Sequence, residues 1–128
     1  GLVHAMAYPL GGMFNIPHGL ANAVLLPYVI EYNLVGNLRK HAILASTLGE
    51  ETHGLSLREA ADRLIDTLHH LNQDVGIPAT LAELDIPEDK IPEMAEIALT
   101  VTRPVENNPR RPNKNDVIGI YEVAMNGQ

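Results

Sequence analysis

Cysteine is absent from these 128 residues, which excludes disulfides and thiolate metal sites. Basic charge is scarce: nine Lys and Arg stand against sixteen Asp and Glu, for a net charge of −7. Phosphate binding needs clustered Lys and Arg, so nucleic acid is not an expected partner. The one basic cluster, Arg110, Arg111 and Lys114, sits among Pro and Asn and reads as a solvated turn. Long apolar runs are missing as well. The longest, residues 21–30, is interrupted by Asn22, Pro27 and Tyr28 and falls short of the ~20 residues of a membrane span. No signal peptide is visible, so the expectation is a cytoplasmic chain with no membrane partner.

Several functional fingerprints are also lacking. Gly11-Gly12 is not a GxGxxG phosphate loop, and no strand–glycine–helix unit surrounds it. The GxSxG nucleophile elbow, HExxH and CxxC do not occur. Period-two alternation never persists, and no hairpin dipeptide joins two β-branched runs, so strands are not expected.

Helical patterning fills the chain instead, and the length fits one domain able to bury its own core. Leu57, Ala60, Ala61, Leu64, Ile65, Leu68 and Leu71 recur at the three–four spacing of an amphipathic helix. Ser56 and Glu59 make a capping box at its start, and Gly76 and Pro78 stop it. Further helices are expected over residues 38–48, with Gly49 as C-terminal cap, over 92–102, with Pro92 in the first turn, and over 114–125. That last helix has a Val117, Ile120, Tyr121, Ala124 stripe, with Asn113 as cap and Asp116 three residues on. Residues 18–32 are apolar on nearly all sides, which predicts a buried helix kinked at Pro27. Residues 2–8 predict a short apolar helix ended by Pro9, Gly11 and Gly12, and residues 79–84 one more turn. The stretch 103–115, with three prolines and four asparagines, is the clearest loop. The fold class is therefore all-α, a helical bundle.

Six histidines are present and differ in context. His69 and His70 lie off the apolar stripe of their helix and read as surface residues, as does His53 in a polar loop; His41 reads as a core or boundary residue. His4 lies among Leu2, Val3, Ala5, Met6 and Ala7, where a buried imidazole needs a partner. His18 opens the most apolar helix, between Pro17 and Gly19. Neutral imidazole is the commonest protein metal ligand, and a Gly11-Gly12 turn could bring the two together. On spacing alone, two separately satisfied core histidines are the plainer reading. Two imidazoles do not complete a metal site, so further ligands would have to come from elsewhere. Tyr8, four residues after His4, shares its helix face. It is either a proton donor or an aromatic core residue with a bonded hydroxyl.

The run GLVHAMAYPLGGMFNIPHGLANAVLLPYVIEYN resembles the signature of the iron-containing alcohol dehydrogenase family. Gly1, His4, Gly11, Pro17, His18 and Gly19 match it, and Asn108-Pro109-Arg110 before a short final helix is similar to the family's C-terminus. The likeness covers essentially the whole chain. It implies the family's all-helical C-terminal domain, in which His4 and His18 are metal ligands for a divalent ion, iron ahead of zinc. It also implies two earlier ligands, an Asp and a His, upstream of residue 1, and an N-terminal domain that binds NAD or NADP. The single domain 1–128 would then be the C-terminal fragment of a longer two-domain enzyme. An apolar start at Gly1 with no cap and no Met fits that reading. The activity implied is interconversion of an alcohol and an aldehyde or ketone, in a homo-oligomer. Tyr8 stands where the family has a histidine near the reacting carbonyl, so a catalytic part for it is implied only as a variant. Glycerol dehydrogenases and dehydroquinate synthases share the plan, but Pro17-His18-Gly19 favours the alcohol dehydrogenase branch. The alternative is a non-catalytic truncated helical module that self-associates or binds a protein partner.

Overall fold

The computed structural model describes residues 1–34, 57–101 and 112–127. Among the described residues there are five α-helices, two short 3-10 turns and no strand. The helices are α1 (Leu2–Phe14), α2 (His18–Asn33), α3 (Leu57–Asp74), α4 (Ile91–Thr100) and α5 (Lys114–Asn126). The expected helix over 38–48 with Gly49, the Ser56 half of the capping box, His41, His53, the last residue of the helix expected over 92–102 and residues 103–111 of the loop lie outside the described residues. No described helix is long and apolar enough to cross a membrane.

The architecture is an all-α bundle built around α2, which packs on α1, α3 and α5, while α4 packs on α1 and α5. That central place explains why residues 18–32 carry little polarity. Ala21, Val24, Leu25, Tyr28 and Val29 are buried, and Leu26 and Ile30 half-buried against other neighbours. The helix continues through Pro27, whose ring is itself buried.

α1 is longer than the sequence predicts. It runs past Pro9, Gly11 and Gly12 to Phe14 and ends at Asn15, which adopts the left-handed conformation (φ 57°, ψ 30°). Pro9 removes one amide donor and crowds the preceding turn, which costs about 3 kcal/mol inside a helix, and burial of Leu2, Met6, Pro9 and Leu10 along one face outweighs that loss. Each large side chain on such a face contributes about 2–5 kcal/mol, so the several buried together exceed the proline's cost.

α3 and α5 follow their local codes. α3 ends at Gly76 (φ 79°), where the Ile77 amide donates to the Asn72 carbonyl at 2.8 Å, closing the helix in the motif that glycine favours. Its apolar stripe is buried only at its first half. Ala61 and Ile65 join Leu34 in a small separate cluster, whereas Leu71 is 49% exposed. The Asn72 side chain instead donates to the Ala23 carbonyl of α2 at 2.7 Å. α5 begins with a reciprocal capping box: the Asp116 amide donates to Asn113 Oδ1 (2.8 Å) and the Asn113 amide to Asp116 Oδ2 (3.0 Å). Val117, Ile120, Tyr121 and Ala124 are buried, with Met125 beside them. The turn expected over 79–84 is the 3-10 segment Ala82–Leu84, pinned to α5 by the Leu81 amide on the Ala124 carbonyl.

Two buried phenols tie the bundle across long sequence distances. Tyr121 Oη donates to the Met6 carbonyl at 2.6 Å, joining α5 to α1. Tyr28 Oη donates to the Ala79 carbonyl. Burial raises the pKa of Tyr121 well above its ordinary value. Burial first, then Glu31 and Glu83, raises that of Tyr28. The folded state thus favours both neutral phenols, a stabilisation fully present below the unfolded tyrosine pKa of about 10 and lost as pH rises from there toward the folded values. The thermal midpoint, followed by circular dichroism, is expected to hold steady to about pH 9 and then fall. Tyr121→Phe is expected to lower stability by about 1 kcal/mol at neutral pH and to make the alkaline fall shallower. An unchanged alkaline slope would refute this account of the phenols.

Candidate metal centre

His4 sits in the first turns of α1, on the side away from the buried Ala5, Met6 and Leu10, and is exposed. It is therefore not the buried imidazole that its apolar neighbours suggest; those neighbours face the core, and the histidine faces out. His18 is the first residue of α2 and is also exposed. Fourteen residues apart, they meet: His4 Nδ1 lies 3.2 Å from His18 Nε2, and the rings stack with centroids 5.4 Å apart at 21°.

The path that joins them is not a Gly11-Gly12 turn, since both glycines are inside α1. His4 is ten residues before Phe14, about 15 Å along the helix axis at 1.5 Å per residue. The chain must return most of that distance before α2 begins. Left-handed Asn15 turns it, with the Asn15 amide on the Gly11 carbonyl (3.1 Å) and the Ile16 amide on the Leu10 carbonyl (3.2 Å). Pro17, extended at ψ 137°, then carries it to His18. The three-residue Asn15–Ile16–Pro17 link has the reach a tight glycine turn lacks.

The donor set suits a divalent ion. Two imidazole nitrogens bound to one tetrahedral metal at about 2.0–2.1 Å stand about 3.3 Å apart, close to the observed separation. Bonding there needs His4 Nδ1 and His18 Nε2 both unprotonated, in place of the hydrogen bond they now share. Among the described residues no group of three or more His, Asp or Glu side chains converges, so the two imidazoles alone fall short of the three or four protein ligands that a metal site needs.

Tyr8 lies one helical turn beyond His4 and is 61% exposed, so it is not a core aromatic residue. His69, in contrast, is half-buried rather than a surface residue. Its ring packs edge-on to Tyr28 (centroids 5.3 Å, 68°), and the two line a cleft of about 730 Å³ with Gln73, Glu83 and Gly127, a grouping built across three parts of the chain that no local pattern marks. His70 is exposed as expected.

A profile described as the C-terminal part of the Fe-containing alcohol dehydrogenase family matches residues 1–125. The chain belongs to that family. It is 45% identical over 125 residues to a 1,3-propanediol dehydrogenase of Citrobacter freundii and 40% identical over 124 residues to a lactaldehyde reductase of Escherichia coli. The first alignment covers 98% of this chain and the second 97%, and each covers 32% of the relative. Among solved structures, a 1,3-propanediol oxidoreductase superimposes with a TM-score of 0.94 at 44% identity, over 98% of this chain and 32% of that one. An alcohol dehydrogenase from Oenococcus oeni gives 0.93 at 42%, over 97% and 32%. The chain thus spans about a third of the length of its family relatives, and the helical fold expected for the family's C-terminal domain is the fold observed.

If the histidine pair ligates a metal, zinc titrated into this chain should bind with heat that His4→Ala and His18→Ala each reduce, with affinity down roughly tenfold or more. Calorimetry in which either variant binds as tightly as the parent would rule the pair out as ligands.

Proposed function

We propose that this chain is the helical, metal-ligating portion of a longer alcohol dehydrogenase that interconverts an alcohol and an aldehyde or ketone with a nicotinamide cofactor. The observation that carries the reading is the meeting of His4 and His18 on an exposed face of a chain matched to the family from residue 1 to 125. A half-site open to solvent suits a partner element bearing the remaining ligands, the Asp and His that the resemblance implies upstream. In this reading residues 1–128 form one domain. The cofactor is held mainly by a domain preceding it, and the polypeptide works as a homo-oligomer in the cytoplasm.

His4 and His18 would hold the ion as neutral imidazoles, with iron ahead of zinc since a mixed nitrogen and oxygen shell with open positions suits ferrous ion. When bound, the ion supplies Lewis acidity, polarising the substrate oxygen and stabilising an alkoxide. The rest falls to the protein. The rigid α1–α2 packing fixes the two imidazoles, and Tyr8, a turn from His4 and exposed, can donate a hydrogen bond to the substrate end. Relatives named NAD-dependent methanol dehydrogenase and NADPH-dependent butanol dehydrogenase support a nicotinamide cofactor of either kind.

The test is turnover by the polypeptide that includes the upstream region, loaded with ferrous or zinc ion and offered a series of short diols and alcohols. Nicotinamide reduction should appear, and should vanish in His4→Ala and His18→Ala. Tyr8→Phe should lower kcat/KM by about two- to tenfold while leaving metal affinity intact. Full rates in either histidine variant, or turnover by residues 1–128 alone, would sink the proposal.

A further inference from the structure

We propose that Tyr121, on α5, is a positioning residue for the His4–His18 pair: its hydroxyl holds the turn of α1 that carries His4 where Pro9 leaves that helix short of a rung. The inference rests on the metal reading above.

The need for such a tie comes from Pro9. It has no amide hydrogen, so the Ala5 carbonyl loses its normal helical donor, and its ring crowds the preceding turn. His4 lies on one side of this weak point. His18 is attached through the other side, by way of Leu10, Asn15 and Pro17. A bend at Pro9 therefore changes the distance between the two imidazoles directly. His4 is five residues from Pro9, about 7.5 Å along the axis, so a bend of about 10° moves it by about 1.3 Å. Metal–ligand distances tolerate about 0.2 Å.

Two kinds of contact resist that bend. Leu2 and Met6 are buried in the core, but apolar burial is non-directional and permits sliding. The directional contact is the 2.6 Å bond from Tyr121 Oη to the carbonyl of Met6, midway between His4 and Pro9. Tyr121 is fully buried among Met6, Val117 and Ala124, on a helix whose start is fixed by its capping box. Phenylalanine at 121 would keep the ring and its packing and remove only this tie.

Tyr28→Phe is the matched control. It deletes another hydroxyl-to-carbonyl bond, to Ala79, in the half of α2 remote from His18. Zinc affinity by calorimetry and the visible absorption of bound cobalt(II) would be measured on the full chain and its variants. Tyr121→Phe should weaken zinc about three- to tenfold and shift the cobalt bands, whereas Tyr28→Phe should leave both unchanged. The Tyr121→Phe effect should disappear in a His4→Ala background. It should shrink in a Pro9→Ala background, where the missing rung is restored. Unchanged affinity in Tyr121→Phe, or equal weakening by Tyr28→Phe, overturns the positioning role. If binding by the parent chain does not depend on His4 and His18 in the first place, the metal reading itself has failed, and the tyrosine variants play no part in that result.

Discussion

The return of the chain after Phe14 is the constraint on which the rest of the site depends. A helix of α1's length carries His4 far from its own C-terminus, so a tight reversal would leave His18 at the wrong end. Asn15 takes the left-handed conformation, open to few residues besides glycine and asparagine, and the chain then runs back through Ile16 and an extended Pro17. That return lays α2 against α1 with their apolar faces inward and places His18 beside His4 on the outside. The core follows from the same act. α2 becomes the central helix, α4 and α5 close over α1 and α2, and α3 attaches to α2 through Leu34, Ala61, Ile65 and the Asn72 side chain.

What results is a helical bundle with a stacked, exposed histidine pair on its surface. The two imidazoles are aligned at a spacing that suits one divalent ion, but nothing among the described residues joins them. The cleft around Tyr28 and His69 lies elsewhere in the bundle.

Legibility in the sequence tracks how local each cause is. The start of α5 is set by Asn113 and Asp116 bonding within four residues, and the end of α3 by Gly76 within one turn, so both could be read directly. The scarcity of polar residues along residues 18–32 predicts a buried helix, because a helix apolar on nearly all sides suits no other environment. The family signature marked His4 and His18 together. The end of α1 is not legible in the sequence, because Pro9, Gly11 and Gly12 are unfavourable only locally, while burial of Leu2, Met6 and Leu10 acts through partners distant in sequence.

The sequence by itself therefore determined that the described residues form helices and no strand, where most of those helices begin and end, and which two histidines to watch. The helix limits depend on hydrogen-bonding and periodicity within a few residues, whereas the histidines are marked only by the resemblance to the family. Only the tertiary structure decided that α1 passes through Pro9, that His4 and Tyr8 face solvent rather than core, that Leu71 lies outside the stripe it belongs to, and that Tyr121 reaches Met6. Each of these turns on which face of a helix finds a partner, and that is settled by packing between segments as much as 115 residues apart.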